Sequence, residues 1–422
     1  MAGLTIASTI LVFEAVQHAV AQHWAASADE TQWIRAADME PANSENWYRL
    51  GRYRQLDFEH EDVPLAISYY RRATDLDPVS PLYWMDLAGA YETAGQNPQA
   101  EQAYRTAQQN YPISGEVAWR YGNFLLRQGR VEAAFQQIHR ALAVEPSFTT
   151  LAVSVCWRST QDLDRILATV LPENADVYWG TISYFVGANA PDQAVTVWKK
   201  LAAMKTPLAL EKAYPLLDLL VNQGRASDAQ TVWEQAIAAA GVKPDYGSGG
   251  SIIWNGGFES DLLNGGLAWR YQPVDGATMK FEEGGAHSGN RSLRVDFDGS
   301  SNANFKSIWQ WVVVKPNTSY RFSSYFRSAD ISTDSGLFFQ IEDRSNPVNS
   351  GQFKQDPVRN TPNVIGTQPW SLDDVEFTTG PDTQLLAIFL RRNPSNLLGN
   401  KISGTAWVDD VSLVPMQAAA GQ

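Results

Sequence analysis

A period of 34 residues runs through the first part of the chain and limits what that part can fold into. One unit reads Trp84, Leu87, Tyr91, Gly95, Ala100, Tyr104, Ala107 and Pro112, and the next reads Ala118, Tyr121, Leu125, Gly129, Ala134, Ile138, Ala141 and Pro146. A repeat of this length is a pair of antiparallel helices, which buries its apolar face only by stacking on its neighbours. The sequence therefore predicts a helical solenoid in which a proline ends each second helix.

This register resembles the tetratricopeptide repeat, and weaker copies of it extend in both directions. Residues 14–41 end like a capping repeat, and the following unit ends at Pro78 after an insertion near residues 57–62. We interpret that acidic, His60-containing insertion as a longer turn rather than a metal site. The pattern returns over residues 178–241, which predicts six or so helical pairs within a domain of residues 1–241.

The N-terminal apolar run, residues 4–13, has three possible interpretations. It is the packed first helix of the solenoid, the remnant of a membrane anchor, or an atypical export signal. The run is shorter than the roughly 20 residues that span a bilayer. No Lys or Arg precedes Arg35, so the positive region of an export signal is missing.

Residues 242–252 are rich in Gly, Ser and Pro, and we predict a flexible linker there. Beyond it the hydrophobic period changes to two, as in the alternation of Leu293, Val295 and Phe297 with polar residues. Eight or nine short strands of this kind indicate an antiparallel β-sandwich or jelly roll over residues 253–415, followed by a flexible tail at 416–422. The predicted fold class is thus multidomain, an α-solenoid followed by a β-sandwich.

Four short motifs stand in order along the second half. They are Asn255–Glu259 followed by Gly266–Trp269, His287–Gly289 before Ser292–Val295, Val314–Phe322, and Ala406–Leu413. Their order resembles the jelly-roll carbohydrate-binding modules attached to bacterial cellulases and xylanases. That resemblance implies polysaccharide binding and a structural calcium at Glu259 and Asp409. Asp410 is a further candidate, since a jelly roll brings the two chain ends together and calcium prefers oxygen ligands.

Sugar binding needs flat aromatic faces and planar polar side chains. The candidates are Trp269, Tyr271, Trp309, Trp311, Tyr325, Phe339 and Trp370, with Arg327, Gln340, Arg391 and Arg392 as polar partners. Trp309 and Trp311 should share one face of a strand, because side chains repeat every two residues. Each aromatic has the alternative interpretation of a core residue.

In the resembled repeat family, side chains of the first helices line a groove that binds proteins. The equivalent positions here are Tyr48, Arg52, Met85, Glu92, Trp119, Asn123 and Arg127. Asn123 and Arg127 resemble groove positions that hold a peptide carboxylate in chaperone-binding members, but the companion lysines are absent. The alternative is an ordinary solvated helix face.

Composition and motifs argue against several function classes. The net charge is −13, and neither half has a basic patch suited to nucleic acid. Cys156 is the only cysteine, so an intrachain disulfide is excluded. No hydrolase elbow, P-loop, dinucleotide or zinc-protease motif occurs, and the acids of the second half fall at predicted turns. We therefore predict that the chain is not an enzyme.

The sequence predicts a non-catalytic adaptor that binds a protein through the solenoid and a polysaccharide through the sandwich. A role in bacterial cell-surface or exopolysaccharide assembly suits that pairing and predicts a cell-envelope or extracytoplasmic location. One alternative is a protein–protein scaffold whose sandwich no longer binds sugar. A second alternative is an accessory subunit or hydrolase acting on glycosyl bonds.

Overall fold

The computed structural model describes residues 2–27, 29–345, 347–349, 352–353 and 357–416. Its contacts divide the chain into two compact units, Met1–Gly180 and Thr181–Gln422. Paired helices fill the first unit, whereas the second contains further helices and two antiparallel β-sheets. This confirms the predicted fold class, an α-solenoid followed by a β-sandwich.

Fourteen α-helices occur in the described residues, and most of them form antiparallel pairs. They are α1 (Ala2–Ala25), α2 (Glu30–Met39), α3 (Ser44–Leu56), α4 (Val63–Leu76), α5 (Pro81–Thr93), α6 (Asn97–Asn110), α7 (Gly115–Arg127), α8 (Val131–Val144), α9 (Thr149–Thr160), α10 (Leu163–Thr169), α11 (Ala175–Gly187), α12 (Pro191–Ala203), α13 (Tyr214–Asn222) and α14 (Ala226–Ala239). The units predicted from the period correspond to α5–α6 and α7–α8.

The periodic residues have the structural roles that the pattern predicts. Ala100 and Ala134 are fully buried where paired helices approach each other. Gly95 and Gly129 adopt φ values of 70° and 71° in the turns between helices, a region that favours glycine. Segment 57–62 forms a turn between α3 and α4, in which His60 Nδ1 lies 2.9 Å from Asp57 Oδ1.

Helix α1 includes the N-terminal apolar run. Ala21, near its C-terminal end, is buried, while Val12, Phe13 and Val16 are exposed. Among the described residues, no helix combines the length and the apolar character needed to cross a bilayer. The three interpretations of this segment stay predictions.

Twelve strands in the described residues form the sheets. They are β1 (Arg270–Tyr271), β2 (Ala277–Glu283), β3 (Arg291–Asp298), β4 (Phe305–Val313), β5 (Ser319–Ile331), β6 (Phe338–Asp343), β7 (Pro347–Asn349), β8 (Gln352–Phe353), β9 (Pro357–Asn360), β10 (Gly366–Thr378), β11 (Leu385–Arg392) and β12 (Ser403–Pro415). Sheet one has the order β1-β4-β11-β6-β9, and sheet two has the order β10-β5-β12-β3-β2. Strands β7 and β8 form a separate two-stranded sheet. Side chains from both sheets, such as Ile388 and Phe322, fill one core between them.

The segment 242–252 is held by contacts to the sandwich. The Asp245 carbonyl accepts a hydrogen bond of 2.6 Å from the Asn255 N–H, and Tyr246 packs edge-on against Trp254 at 5.3 Å. The Ile252 N–H donates to the Leu413 carbonyl at 3.0 Å. The last helix ends before this segment and the first strand begins after it, whereas the contacts divide the chain further upstream, within α11.

Helices α13 and α14 pack against the sandwich inside the second unit. Trp233 on α14 lies edge-on to Trp254 with ring centroids 5.2 Å apart, and Arg270 on β1 pairs with Asp218 on α13. Gly266, at φ 58°, lies so close to the Trp233 ring that an added Cβ would overlap it. The Gly266–Trp269 motif therefore serves helix-to-sandwich packing.

Candidate functional site

Two of the aromatic residues predicted to bind sugar are core residues. Trp269 and Phe339 are each 1% exposed and belong to the cluster between the sheets. Trp269 packs against Phe258 with ring centroids 5.6 Å apart. No ring face is left for a ligand, so their assignment to a binding surface is wrong.

Arg392 and Tyr271 also have structural contacts. Arg392 is fully buried, and its Nη1 donates to Asn302 Oδ1 at 2.8 Å and to the Ala303 carbonyl at 2.5 Å. These bonds join loops at one end of the sandwich, which corrects its prediction as a sugar partner. Tyr271 is half-buried and packs against the core cluster.

A first group of predicted residues lies together on the outward side of sheet one. Strand register places Trp309 of β4 beside Phe389 of β11, and Phe389 beside Gln340 of β6. The rings of Trp309 and Phe389 are roughly parallel, with centroids 6.5 Å apart and an interplanar angle of 29°. Ile308 and Val312 point inward instead, so the prediction that Trp309 and Trp311 share one face is confirmed.

Charged side chains surround this aromatic pair. Lys306 Nζ lies 3.9 Å from the Phe389 ring centroid and 2.7 Å from Glu342 Oε1, and Arg344 pairs with the same carboxylate. Arg391 follows Phe389 by two positions, so it lies on the same side of β11. We call this group the sheet-one face and define it as Lys306, Trp309, Gln340, Glu342, Arg344, Phe389 and Arg391.

Burial shapes the electrostatics of the sheet-one face. Glu342 is 2% exposed, and its carboxylate is paired with two cations, Lys306 and Arg344. Burial lowers the pKa of the Lys306 ammonium, Glu342 opposes that effect, and the positive charges of Arg344 and Arg391 lower the pKa further. The three cations therefore lie close enough to repel one another.

Trp311 lines a cavity at the end of sheet one nearest α14. The cavity has a volume of about 490 Å³, and its wall includes Gln230, Tyr246, Leu267 and Lys315. Helix α14 and the segment before the sandwich thus contribute to the surroundings of this tryptophan. The sequence did not indicate that helical residues take part in the sandwich surface.

A second group of predicted residues lies on the outward side of sheet two. The Arg327 guanidinium stacks 4.0 Å from the Trp407 ring centroid and 5.3 Å from that of Trp370. Tyr325 stacks on His287 with centroids 3.4 Å apart. We call Arg294, Tyr325, Arg327, Trp370 and Trp407 the sheet-two face. The core lies between this face and the sheet-one face. The predicted sugar residues therefore cannot form a single site.

The predicted calcium ligands meet where the two ends of the sandwich chain converge. Asp409 is fully buried, and its Oδ2 accepts hydrogen bonds from the N–H groups of His287 at 2.8 Å and Ser288 at 3.2 Å. Glu259 Oε1 accepts from the Asn290 N–H at 2.9 Å, and His287 Nδ1 lies 2.6 Å from Asp410 Oδ2. Burial raises the pKa of Asp409 to about 6.

These acids already have hydrogen-bond donors from the loop at 287–291. Within the described parts of the chain, no group of three or more His, Cys, Asp or Glu side chains is arranged to hold a metal. Their present arrangement therefore does not fit a calcium ion, although the two chain ends meet as predicted. Calcium binding stays a prediction.

The first helices of the repeats, α3, α5 and α7, lie side by side, and we call them the first-helix row. Tyr48 is buried, and its hydroxyl donates to Asp86 Oδ2 at 2.7 Å. Arg120 Nη1 donates to Asp86 Oδ1 at 2.7 Å. Met85 is buried against Ala107 and Val117. Tyr48 and Met85 are each 4% exposed, so the prediction of both as groove residues is wrong.

The remaining groove predictions lie nearer the surface of this row. Arg127 donates from Nε and Nη2 to Glu92 Oε2, at 3.0 and 2.7 Å. The Asn123 amide donates to the Trp119 carbonyl at 2.8 Å, and Trp119 stacks on Phe148 at 5.5 Å. Arg52 is exposed, 5.9 Å from the Tyr48 ring centroid, and no carboxylate of the described residues pairs with it.

The sequence analysis missed four members of the sheet-one face: Lys306, Glu342, Arg344 and Phe389. They come from three parts of the chain that the strand order β4-β11-β6 brings together. Alternation along each strand assigns residues to a side, but it contains no information on which strands are neighbours. For Phe389 alone the sequence contained a signal: alternation along β11 places it on the side opposite to Ile388.

Comparisons with known proteins support the repeat assignment. A family model described as tetratricopeptide repeat matches residues 55–114 and, overlapping them, residues 90–147. The small glutamine-rich tetratricopeptide repeat-containing protein 2 of Mycosarcoma maydis is 31% identical over 87 residues. That match covers 21% of this chain and 25% of the relative, so the chain spans about a quarter of the curated relative's length.

Solved structures of low similarity match parts of the chain. The crystal structure of MamA has a TM-score of 0.27 and 16% identity, covering 40% of this chain and 83% of that one. YrrB, described as a tetratricopeptide repeat protein with an unusual peptide-binding site, has a TM-score of 0.27 and 11% identity, covering 50% and 93%. A structure described as "CBM4 structure and function" has a TM-score of 0.29 and 14% identity, covering 39% and 99%.

These TM-scores are too low to support an inference about this chain, and its resemblance to a carbohydrate-binding module stays a prediction. The repeat assignment depends on the family model and on the curated relative instead. Tetratricopeptide repeats occupy residues 55–147, and an antiparallel β-sandwich follows them in the same chain.

Proposed function

We propose that this protein is a non-catalytic adaptor that holds a protein partner on the first-helix row and a polysaccharide on the sheet-one face. Tetratricopeptide repeats are protein-interaction elements, and the first-helix row is the surface that such repeats use. A polysaccharide ligand suits a location in the bacterial cell envelope or outside the cytoplasm. The observation on which the sugar assignment depends is the half-buried ring of Trp309, which lies beside the buried Phe389, with Gln340 next to Phe389 on the neighbouring strand.

The first-helix row has features that suit an extended peptide with an acidic group. Arg52 and Arg127 are exposed, while the acids beneath them, Asp86 and Glu92, are each 15% exposed at the side chain and already paired. Arg52 thus presents a positive charge that no carboxylate of the described residues pairs, and Arg127, paired with Glu92, lies on the same row of a chain whose net charge is −13. Guanidinium groups form paired hydrogen bonds with carboxylates.

The test for this surface is a peptide array probed with the full chain. Replacing Arg52→Gln and Arg127→Gln together should weaken binding of acidic peptides at least about tenfold, corresponding to about 1.4 kcal/mol. Arg72→Gln, on the exposed side of α4, is the matched control and should have no effect. Unchanged binding by the double variant would show that the row is not the docking surface.

The sheet-one face suits a sugar because flat apolar rings and hydrogen-bonding side chains alternate on it. Trp309 is half-buried, and Gln340 provides an amide next to Phe389. Pyranose rings present C–H groups to an aromatic face and hydroxyl groups at the rim. The cavity beside Trp311 extends this surface toward α14.

A binding role fits the carboxylates near this face better than hydrolysis does. Glycoside hydrolysis uses two carboxylates on opposite sides of the scissile bond. Glu342 is buried in ion pairs with Lys306 and Arg344, and Asp343 Oδ2 accepts a hydrogen bond of 2.5 Å from Thr383. Neither acid is placed to exchange a proton with a sugar above Trp309.

A glycan array probed with the full chain tests the sugar assignment. The wild type should bind at least one polysaccharide class, and Trp309→Ala should lose that binding while the protein remains folded. Trp370→Ala, on the sheet-two face, serves as the matched tryptophan control. An array on which the wild type binds nothing would refute the sugar half of the proposal and leave the protein-binding half intact.

A further inference from the structure

The sheet-one face holds more positive than negative charge among its described side chains. Lys306 and Arg344 share one carboxylate, Glu342. Arg391 lies on the same side of the sheet, and no carboxylate of the described residues lies within ion-pair distance of it. Three cations therefore surround a single acid.

Arg391 also lacks a full set of hydrogen bonds. Its Nε is buried and has no hydrogen-bond partner in the described part of the chain. A buried polar atom without a partner destabilises the free protein, and a ligand that supplies an acceptor removes this penalty. A carboxylate is the acceptor whose planar geometry matches a guanidinium group.

The aromatic pair fixes where such a carboxylate would lie. Phe389 is two residues from Arg391 on one strand, and Lys306 Nζ lies 3.9 Å from the Phe389 ring centroid. A hexuronic acid carries its carboxylate on C5 of the pyranose, immediately outside the ring. Phe389 itself is buried, so the ring open to a sugar is that of Trp309. A sugar stacked on Trp309 would present its carboxylate to the cations that lie around Phe389.

The charge of the whole chain makes this local excess informative. With a net charge of −13, the protein as a whole repels polyanions. A preference for an acidic polymer would thus have to come from a local site rather than from general electrostatic attraction. Salt would weaken it, because the site is partly open to solvent.

We infer that the polysaccharide bound at the sheet-one face is acidic, with uronate carboxylates paired to Arg391 and a positive potential added by Lys306 and Arg344. This inference rests on the proposed sugar binding at the same face. It adds the chemical class of the polymer. Neutral polymers such as cellulose or xylan derivatives lack the group that Arg391 requires.

The experiment compares binding of the full chain to polygalacturonate and to hydroxyethylcellulose by affinity electrophoresis at low and high salt. We expect binding to polygalacturonate to be at least about tenfold tighter at low salt, with most of the preference lost at high salt. Arg391→Gln should remove about tenfold of the preference, whereas Arg391→Lys should retain most of it. Arg321→Gln, an exposed arginine on sheet two, is the matched control.

The outcomes separate this inference from the proposed function. Equal binding of the two polymers would overturn the acidic class but leave sugar binding intact. Binding of neither polymer, with no binding on a broad glycan array, would overturn both. If Arg391→Gln melts at the wild-type temperature and keeps the full preference, the assignment to Arg391 is wrong. If it melts lower, the result for Arg391→Lys decides whether the charge is responsible.

Discussion

The two outer faces of the sandwich both carry tryptophan and arginine, yet their charges are arranged differently. On the sheet-two face, Arg294 pairs with Glu282 and with Asp296, and the Arg327 guanidinium is 4.0 Å from the Trp407 ring centroid. Trp407 Nε1 donates to Glu282 at 3.0 Å. On the sheet-one face, Lys306 and Arg344 share Glu342, no carboxylate of the described residues pairs with Arg391, and Trp309 lies beside Phe389.

This difference shows why a count of aromatic and basic residues does not locate a binding site. The cations of the sheet-two face occupy the faces of its own tryptophan rings, and acids within the same sheet balance part of their charge. Most of its charged side chains therefore pair with one another, although Arg327 Nε, like Arg391 Nε, has no hydrogen-bond partner among the described residues. The sheet-one face keeps unsatisfied charge next to a flat ring, which is what a ligand can use.

The largest expected effect comes from removing the acid of each face. Glu342→Gln leaves Lys306 and Arg344 without their buried partner and should destabilise the protein by about 3–5 kcal/mol. Glu282→Gln, at a half-buried position, should cost only about 1 kcal/mol after allowance for solvent screening. Urea unfolding of the full chain measures both. Equal costs would mean that the two faces are electrostatically alike.

Tryptophan replacement gives the next largest effect and distinguishes binding from stability. Trp309→Ala should weaken polysaccharide binding at least about tenfold, or about 1.4 kcal/mol. Trp407→Ala should leave binding unchanged and lose two cation–π contacts, about 0.5–1 kcal/mol each. Affinity electrophoresis and thermal melting report the two quantities separately. The comparison fails if Trp407→Ala is the variant that loses binding.

The buried Asp409, near the sheet-two face, should make stability depend on pH. Burial raises its folded-state pKa to about 6, whereas an unfolded Asp has a pKa near 3.9. The folded state thus binds the proton more tightly, and this contribution is lost as pH rises from about 4 through 6. Relative to Asp409→Asn, the wild type should lose stability across that interval. Bound calcium would reduce the pH dependence of the stability difference between wild type and Asp409→Asn, and EDTA would restore it. Thermal melts with added calcium and with EDTA therefore also test the calcium prediction.

The smallest effect is expected for an exposed pair on the outside of sheet two. Arg321 Nη2 lies 2.5 Å from Asp374 Oδ2, and about half of the Arg321 side chain is exposed. A double-mutant cycle at these two positions should give about 0.2–1 kcal/mol and decline with salt. A coupling energy as large as that of Glu342 with Lys306 would contradict the contrast between exposed and buried pairs.

The repeats were predictable from the sequence because their contacts are local. Pro112 and Pro146 mark the ends of second helices, and Gly95 and Gly129 mark the turns, within one 34-residue unit. Met85 was misassigned because a register position shows which helix a residue is on, whereas the exact orientation of the helix decides whether its side chain is buried. The packing of α13 and α14 on the sandwich was missed because no period links Trp233 to Trp254.

In the sandwich, alternation predicted the strands but not which side of each strand faces the core. On β4, the set containing Gln310 faces inward, although the alternate set contains two tryptophans. Gln310 tolerates burial because it accepts from the Trp254 N–H at 3.2 Å and donates to the Trp254 carbonyl at 3.1 Å. That compensation depends on a residue 56 positions away, which no local pattern reveals.

The close fit of Gly266 against Trp233 has a consequence for how this module can be inherited or transplanted. A recombination event that cut the chain at residues 242–252 would separate Trp233 from the glycine that accommodates it. Each product would then expose an apolar surface to solvent. Descendants or engineered chimaeras that retain the strands should therefore also retain the preceding helices, α13 and α14.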